Sequence, residues 1–196
     1  MAPNFPLFSN PIHLAHLFWL NLIKKDDIVI DATVGNGKDI LFLASTLMNL
    51  GGGSIYGLDI QKQAIETTHE LLKEHAERFL PHTRLIHASH ESFPREILQG
   101  SVKLIVYNLG YLPGGDKTIT TMTESTIISI KSSLELICPG GAISITCYPG
   151  HEEGHKEFLA LTTLLTTLAK SKFCVTSHTW MNRQNSPLLL FIQKST

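Results

Sequence analysis

No stretch of this 196-residue chain approaches the ~18 to 20 consecutive apolar residues that span a bilayer, so no membrane partner is expected. The N-terminus lacks a basic leader followed by an apolar segment and a cleavage site, which predicts a cytoplasmic protein. Cysteine is scarce. Cys138, Cys147 and Cys174 are odd in number and form no C-x-x-C, which argues against a disulfide framework and predicts reduced thiols. No metal site is expected. Neither sign of charge dominates: the net charge is −1. A protein that coats nucleic acid without specificity is usually far more basic, so a nucleic-acid substrate would need a local basic patch. Repeats, linkers and low-complexity tracts are also missing, and the length predicts one domain over 1–196, with 1–25 as lead-in and first helix.

What is present is a soluble composition, 43% hydrophobic and 17% charged, patterned as alternating strands and helices. Helices are predicted over 11–23, 38–48, 61–79, 91–98, 121–137 and 151–169. Strands are predicted over 28–32, 54–58, 84–87, 102–107, 142–147, 173–179 and 188–193, with a turn at Cys138-Pro-Gly-Gly141. The continuous apolar run of Val102 to Tyr107 predicts a central strand. No helix separates the last two strands, so they are expected to pair as an antiparallel hairpin. The fold class is therefore α/β: a seven-stranded, mostly parallel sheet with helices on both faces and a C-terminal antiparallel hairpin. That is the Rossmann-like layout of class I methyltransferases that use S-adenosylmethionine (SAM).

The most informative segment is Ile28-Val-Ile-Asp-Ala-Thr-Val-Gly-Asn-Gly-Lys-Asp39. A strand enters a turn at Gly35 and Gly37, and the turn opens a helix whose first N–H groups are free to meet a ligand. About twenty residues later the next strand ends in Asp59, the spacing at which an acid accepts both ribose hydroxyls. Asp59 equally suits the cap of the following helix. The nicotinamide-type turn needs a third glycine, which is missing here, and a pyrophosphate would be repelled by Asp31 and Asp39. The acid of Asp31 instead suits the cationic amino-acid end of SAM.

In doubly wound sheets ligands bind beyond the carboxyl ends of the strands, near the switch in strand order. Ser89 and His90 follow the third strand, where methyltransferases contact adenine; helix capping by Ser89 or Ser92 is the alternative. Asn108-Leu-Gly-Tyr111 lies at the tip of the fourth strand. Amino-directed methyltransferases place an Asn/Asp-Pro-Pro-Tyr/Phe segment there, whose amide oxygen accepts from the target amine while the ring stacks on the substrate. Leu112-Pro-Gly-Gly-Asp-Lys117 extends this loop, and Lys117 could meet a phosphate. On the same rim His151 could act as a base or orient the substrate, and Arg183 in the 180–187 loop could contact it. Glu152 and Glu153 also suit the first turn of a helix.

Asp31-Ala-Thr-Val-Gly-Asn-Gly-Lys-Asp39, Asn108-Leu-Gly-Tyr-Leu-Pro-Gly-Gly-Asp-Lys117 and Tyr148-Pro-Gly-His-Glu-Glu-Gly154 together resemble one family. Long labelled rRNA methylases, its members are assigned as tRNA 5-(aminomethyl)-2-thiouridine methyltransferases (MnmM, YtqB-like). The likeness runs from His16 to the final hairpin. It implies SAM as cofactor and tRNA, through its anticodon region, as substrate. By motif position Asp31, Thr33, Gly35, Asn36, Gly37 and Asp39 would line the methionine end of SAM. Asp59 and Gln61 would hold the ribose, with His90 near adenine. Asn108, Tyr111 and the Gly114-Gly115-Asp116-Lys117 turn would face the substrate, with His151 and Arg183 behind them. Lys38 and Ile40 depart from the His and Thr common at these positions in the family.

The implied product is 5-methylaminomethyl-2-thiouridine. Three alternatives remain at this stage: a methyltransferase for rRNA or a small amine, a nicotinamide-dependent oxidoreductase, and a non-catalytic RNA-binding module. A homodimer is left open.

Overall fold

The computed structural model describes residues 5, 7, 9–112, 114, 119–183 and 186–196. Helix α1 (Pro11–Leu22) leads in; Asn10 caps it, its side chain accepting from the His13 N–H at 3.0 Å, and Pro11 supplies the first turn. The chain then runs β1 (Ile28–Asp31), α2 (Lys38–Leu50), β2 (Ser54–Asp59), α3 (Lys62–His75) and β3 (Thr83–His87). It continues through β4 (Val102–Asn108), α4 (Thr123–Leu136), β5 (Ile137–Cys147), α5 (Glu152–Thr166), β6 (Phe173–His178) and β7 (Leu188–Lys194).

The seven strands form one sheet in the order β3-β2-β1-β4-β5-β7-β6. The first five pair in parallel; β7 runs antiparallel between β5 and β6. The predicted α/β class and terminal hairpin are both present. Strand order reverses between β1 and β4, and a crevice opens there at the carboxyl ends of the strands.

Side chains alternate across the pleat, so each strand feeds two cores. Val29, Ile55, Leu104, Val106, Leu189 and Phe191 pack with α1, α2 and α3 on one face. Ile30, Leu58, Ile105, Tyr107, Ile143, Ile145 and Leu190 pack with α4 and α5 on the other. Tyr107 is buried, and its hydroxyl bonds Ser129 at 2.6 Å and Ser133 at 2.7 Å, which ties β4 to α4 just before the strand reaches its functional tip.

Three local expectations change. The helix predicted over 91–98 is absent; Pro94 sits in its middle, lacks an N–H and disfavours helical backbone before it, leaving turns. The turn predicted at 138–141 is instead the irregular start of β5, where the register against β4 shifts. Gly141 belongs there because a Cβ would lie 2.9 Å from the Cys138 carbonyl and 3.0 Å from that of Val102. The helix predicted over 61–79 ends at His75 and gives way to a 3₁₀ turn, Glu77–His82, containing Pro81. Among the described residues no helix is long and apolar enough to cross a membrane, and all three cysteines are free thiols.

Candidate active site

A cavity of about 1280 Å³ occupies the crevice. From the glycine turn its wall includes Thr33, Gly35, Asn36 and Asp39; from the β2 end, Asp59 and Gln61; from the β3 end, Ser89 and His90. Asn108, Tyr111 and His151 close the far side. Eleven positions singled out from the sequence therefore meet around one space.

Gly37 takes φ +77, a backbone region that favours glycine, and begins α2 without a side-chain cap. It does not border the cavity. A Cβ there would lie 2.7 Å from Thr68 Oγ1, so its smallness serves the packing of the turn on α3. Asp59 spans the turn and the start of α3: Oδ2 accepts from the Gly35 N–H at 2.9 Å and Oδ1 from the Gln61 N–H at 2.8 Å. Each oxygen keeps a second lone pair. The ligand and helix-start roles of Asp59 are thus compatible. Ser89 makes a local turn, its Oγ accepting from the Glu91 N–H at 3.2 Å.

Asp31 lies behind the wall rather than on it, 2% exposed. Its Oδ1 accepts from the Thr33 N–H at 3.1 Å, and its Oδ2 has no hydrogen-bond partner. Burial, then the neighbouring Asp39 charge, pushes its carboxyl well above the usual range; Asp59 adds a smaller push. Asp39 and Asp59 border one end of the cavity, with Asp31 sealed behind them. This end attracts a cation and repels a phosphate. His90 is buried against the edge of Tyr107 at 5.9 Å between ring centroids. Burial lowers its pKa against smaller opposing effects of Glu91 and Asp59, so its imidazole is neutral at pH 7.

Asn108 is the most constrained side chain of the site. Its backbone N–H donates to Thr33 Oγ1 at 2.7 Å, and its Nδ2 donates to Asp39 Oδ2. The other Asp39 oxygen meets His16 Nε2 at 2.7 Å. Among the described residues Asn108 Oδ1 meets only the Tyr148 hydroxyl, at a long 3.5 Å. The His16 ring stacks on Phe42 with centroids 3.8 Å apart and planes 13° apart.

The opposite rim is held by two acids of α5, Glu153 and the buried Glu157. Glu153 accepts from the Thr123 N–H at 2.9 Å, and Glu157 accepts from the hydroxyls of Thr121 at 2.8 Å and Thr126 at 2.7 Å. Thr121 Oγ1 in turn accepts from the Gly110 N–H at 2.8 Å, fixing the segment that carries Tyr111. His151 caps α5: its Nδ1 accepts from the Gly154 N–H at 3.1 Å. A neutral imidazole whose Nδ1 is an acceptor carries its proton on Nε2. In this arrangement His151 serves as the cap of α5, with its ring on the cavity wall.

Two further expectations change. Arg183 does not border the cavity; it donates to the Ser9 carbonyl at 2.7 Å and lies over the Phe5 and Trp180 rings, clasping the lead-in to the β6–β7 loop. Gly114 points into open space outside the cavity. Gly115, Asp116 and Lys117 lie outside the described residues. His16, Tyr148 and Glu157 were not singled out as site residues. His16 lies in an apolar-looking helix 23 residues before Asp39, and no local pattern links them.

Residues 55–194 match the family described as "Putative rRNA methylase". The chain is 35% identical over 186 residues, covering 92% of this chain and 68% of its relative, to an Arabidopsis thaliana protein named tRNA (mnm(5)s(2)U34)-methyltransferase, chloroplastic. A "putative rRNA-methylase" from Clostridium thermocellum is 34% identical, with a TM-score of 0.87 over 95% of this chain and 98% of that one. A "putative methyltransferase" from Streptococcus mutans, solved in complex with SAH, is 30% identical, with a TM-score of 0.81 over 95% of this chain and 99% of that one.

Proposed function

The chain belongs to the rRNA-methylase family and is a SAM-dependent methyltransferase, and on that premise we propose that it methylates the primary amine of 5-aminomethyl-2-thiouridine at the wobble position of tRNA. The product is 5-methylaminomethyl-2-thiouridine. The name of the Arabidopsis relative supports this substrate. The observation that carries the reading is the commitment of Asn108 Nδ2 to Asp39, which leaves Oδ1 as the amide atom available to an incoming amine.

The residues present fit the cofactor. Asp31 has an orphaned buried carboxylate oxygen, and Asp39 and Asp59 add charge of the same sign; a ligand bearing ammonium and sulfonium centres suits this set. Asp59 and Gln61 would hold the ribose, and His90 with Ser89 would border the adenine. When bound, SAM supplies a methyl group already activated on sulfur, so the protein's tasks are to orient and to exclude water.

An alkylamine is mostly protonated at neutral pH and must release a proton before it attacks. Asn108 Oδ1 accepts one N–H of the neutral amine and aims its lone pair, while Tyr111 supplies a stacking face for the base. His151 is engaged through Nδ1 as the cap of α5, and water receives the proton. Expected outcome: Asn108→Ala loses about 100-fold or more in turnover while SAM affinity measured by calorimetry stays near wild type. Near-normal turnover would remove Asn108 from the mechanism. The substrate is tested by methyl transfer from labelled SAM to tRNA with and without the aminomethyl group, with rRNA alongside. Label should appear only in the first; label in rRNA alone would overturn the tRNA assignment.

A further inference from the structure

We propose that His16 is a positioning residue for methyl transfer: acting through Asp39, it fixes which end of the Asn108 amide faces the cavity. The inference rests on Asn108 as the acceptor for the target amine.

An asparagine amide has a donor end and an acceptor end of nearly equal size. Rotation about its last bond exchanges them with little steric penalty. Pointing Nδ2 at an amine would set donor against donor and leave the substrate unheld. Asp39 prevents this because a carboxylate only accepts, so Nδ2 must face it. A carboxylate held by one partner can still swing. His16 supplies the second hold, Nε2 to Oδ1 at 2.7 Å, which fixes the carboxylate plane and keeps Oδ2 on Asn108. His16 cannot easily move: its ring stacks on Phe42 at 3.8 Å and leans on Trp19 at 4.8 Å.

Meanwhile the Asn108 backbone is pinned to Thr33 at 2.7 Å. The amide therefore has one orientation, and the residue that secures it lies on α1, outside the sheet-and-crossover core that builds the cofactor pocket. His16 is not among the residues bordering the cavity, so its influence on turnover passes through Asp39.

A packing role and a positioning role are separated by two variants. His16→Phe keeps a ring on Phe42 and removes the donor; His16→Gln keeps an N–H donor and removes the ring. With aminomethyl-bearing tRNA, His16→Phe is expected to lower kcat about 10- to 100-fold, with SAM affinity by calorimetry changed less than about threefold. His16→Gln should recover most of kcat. Adding His16→Phe to Asn108→Ala should cost nothing further, because the group it positions is already gone. In ¹⁵N spectra the Asn108 side-chain amide signal, assigned by its loss in Asn108→Ala, should shift in His16→Phe and stay in place in His16→Gln.

Wild-type kcat in His16→Phe overturns the proposal. So does a Gln variant as slow as the Phe variant, or losses that multiply in the double variant. Should His16→Phe not fold, His16→Leu takes its place in the same comparisons. Full turnover in Asn108→Ala is a separate failure: it removes the acceptor role of Asn108 and this inference with it.

Discussion

Glu157 is a carboxylic acid 1% exposed, held by two threonine hydroxyls and, among the described residues, facing no cation at hydrogen-bond distance. Burial raises its pKa; the Thr126 and Thr121 hydrogen bonds oppose that rise without cancelling it, and Glu153 adds to it. A folded-state pKa raised above the unfolded value gives stability that is complete below the unfolded pKa and is lost as pH climbs through the folded one. Glu157→Gln removes that loss. The variant should therefore gain stability relative to wild type in urea unfolding as pH rises from the acidic range, with the gap levelling off once the wild-type carboxyl has ionised. A constant gap would mean that the carboxyl does not titrate over this rise. Asp59 combines two roles. Asp59→Ala should weaken SAM binding by about 10- to 100-fold, the range for a lost hydrogen bond to a charged group. It should also lower stability, because the Gly35 and Gln61 N–H groups lose their acceptor. Calorimetry reads the first effect and denaturant unfolding the second; unchanged affinity would remove Asp59 from the ribose.

At the scale of elements, the start of α5 has the tightest steric requirement on the rim. A Cβ on Gly154 would collide with the Tyr148 carbonyl and lie 2.8 Å from His151 Nε2. Gly154→Ala is expected to destabilise the fold by about 2 kcal/mol or more, the range for overpacking, read as a drop in the thermal midpoint. His151→Asn should stay within about 0.5 kcal/mol of wild type, since asparagine is a stronger N-cap, whereas His151→Ala should cost about 1 kcal/mol. The elements themselves were legible wherever one period of hydrophobicity ran uninterrupted, as in Val102 to Tyr107 or Ala64 to Leu72. They were misread where a proline or glycine carried two meanings. Pro94 broke a helix that the surrounding apolar residues imitated, and the glycines at 140 and 141, which read as a turn, belong to a strand crowded by a neighbouring backbone.

For the whole molecule, the topology explains which site residues could be found from sequence. Positions at strand ends were legible, because a doubly wound sheet delivers every such end to one rim: Asp59, Asn108 and His90 all arrive there. What the topology hides is which of two like residues faces the cavity. Asp31 and Asp39 read alike in the turn, yet one is sealed behind it and the other borders the space. Partners brought from another layer left no local trace, and His16 is such a partner. Ligand binding should be visible globally as well. Saturation with SAM at about 100 times its Kd stabilises the native state by about 2.7 kcal/mol, so the thermal midpoint should climb with SAM and not with NADH. A rise with NADH alone would reverse the cofactor assignment.

The last strand, β7, is an interior strand wedged between β5 and β6, although it is built from residues 188–194. A nascent chain interrupted between residues 178 and 188 leaves one edge of β5 unpaired and β6 without a neighbouring strand. Such a fragment invites self-association or degradation. Residues 188–194 must be made before the sheet can close.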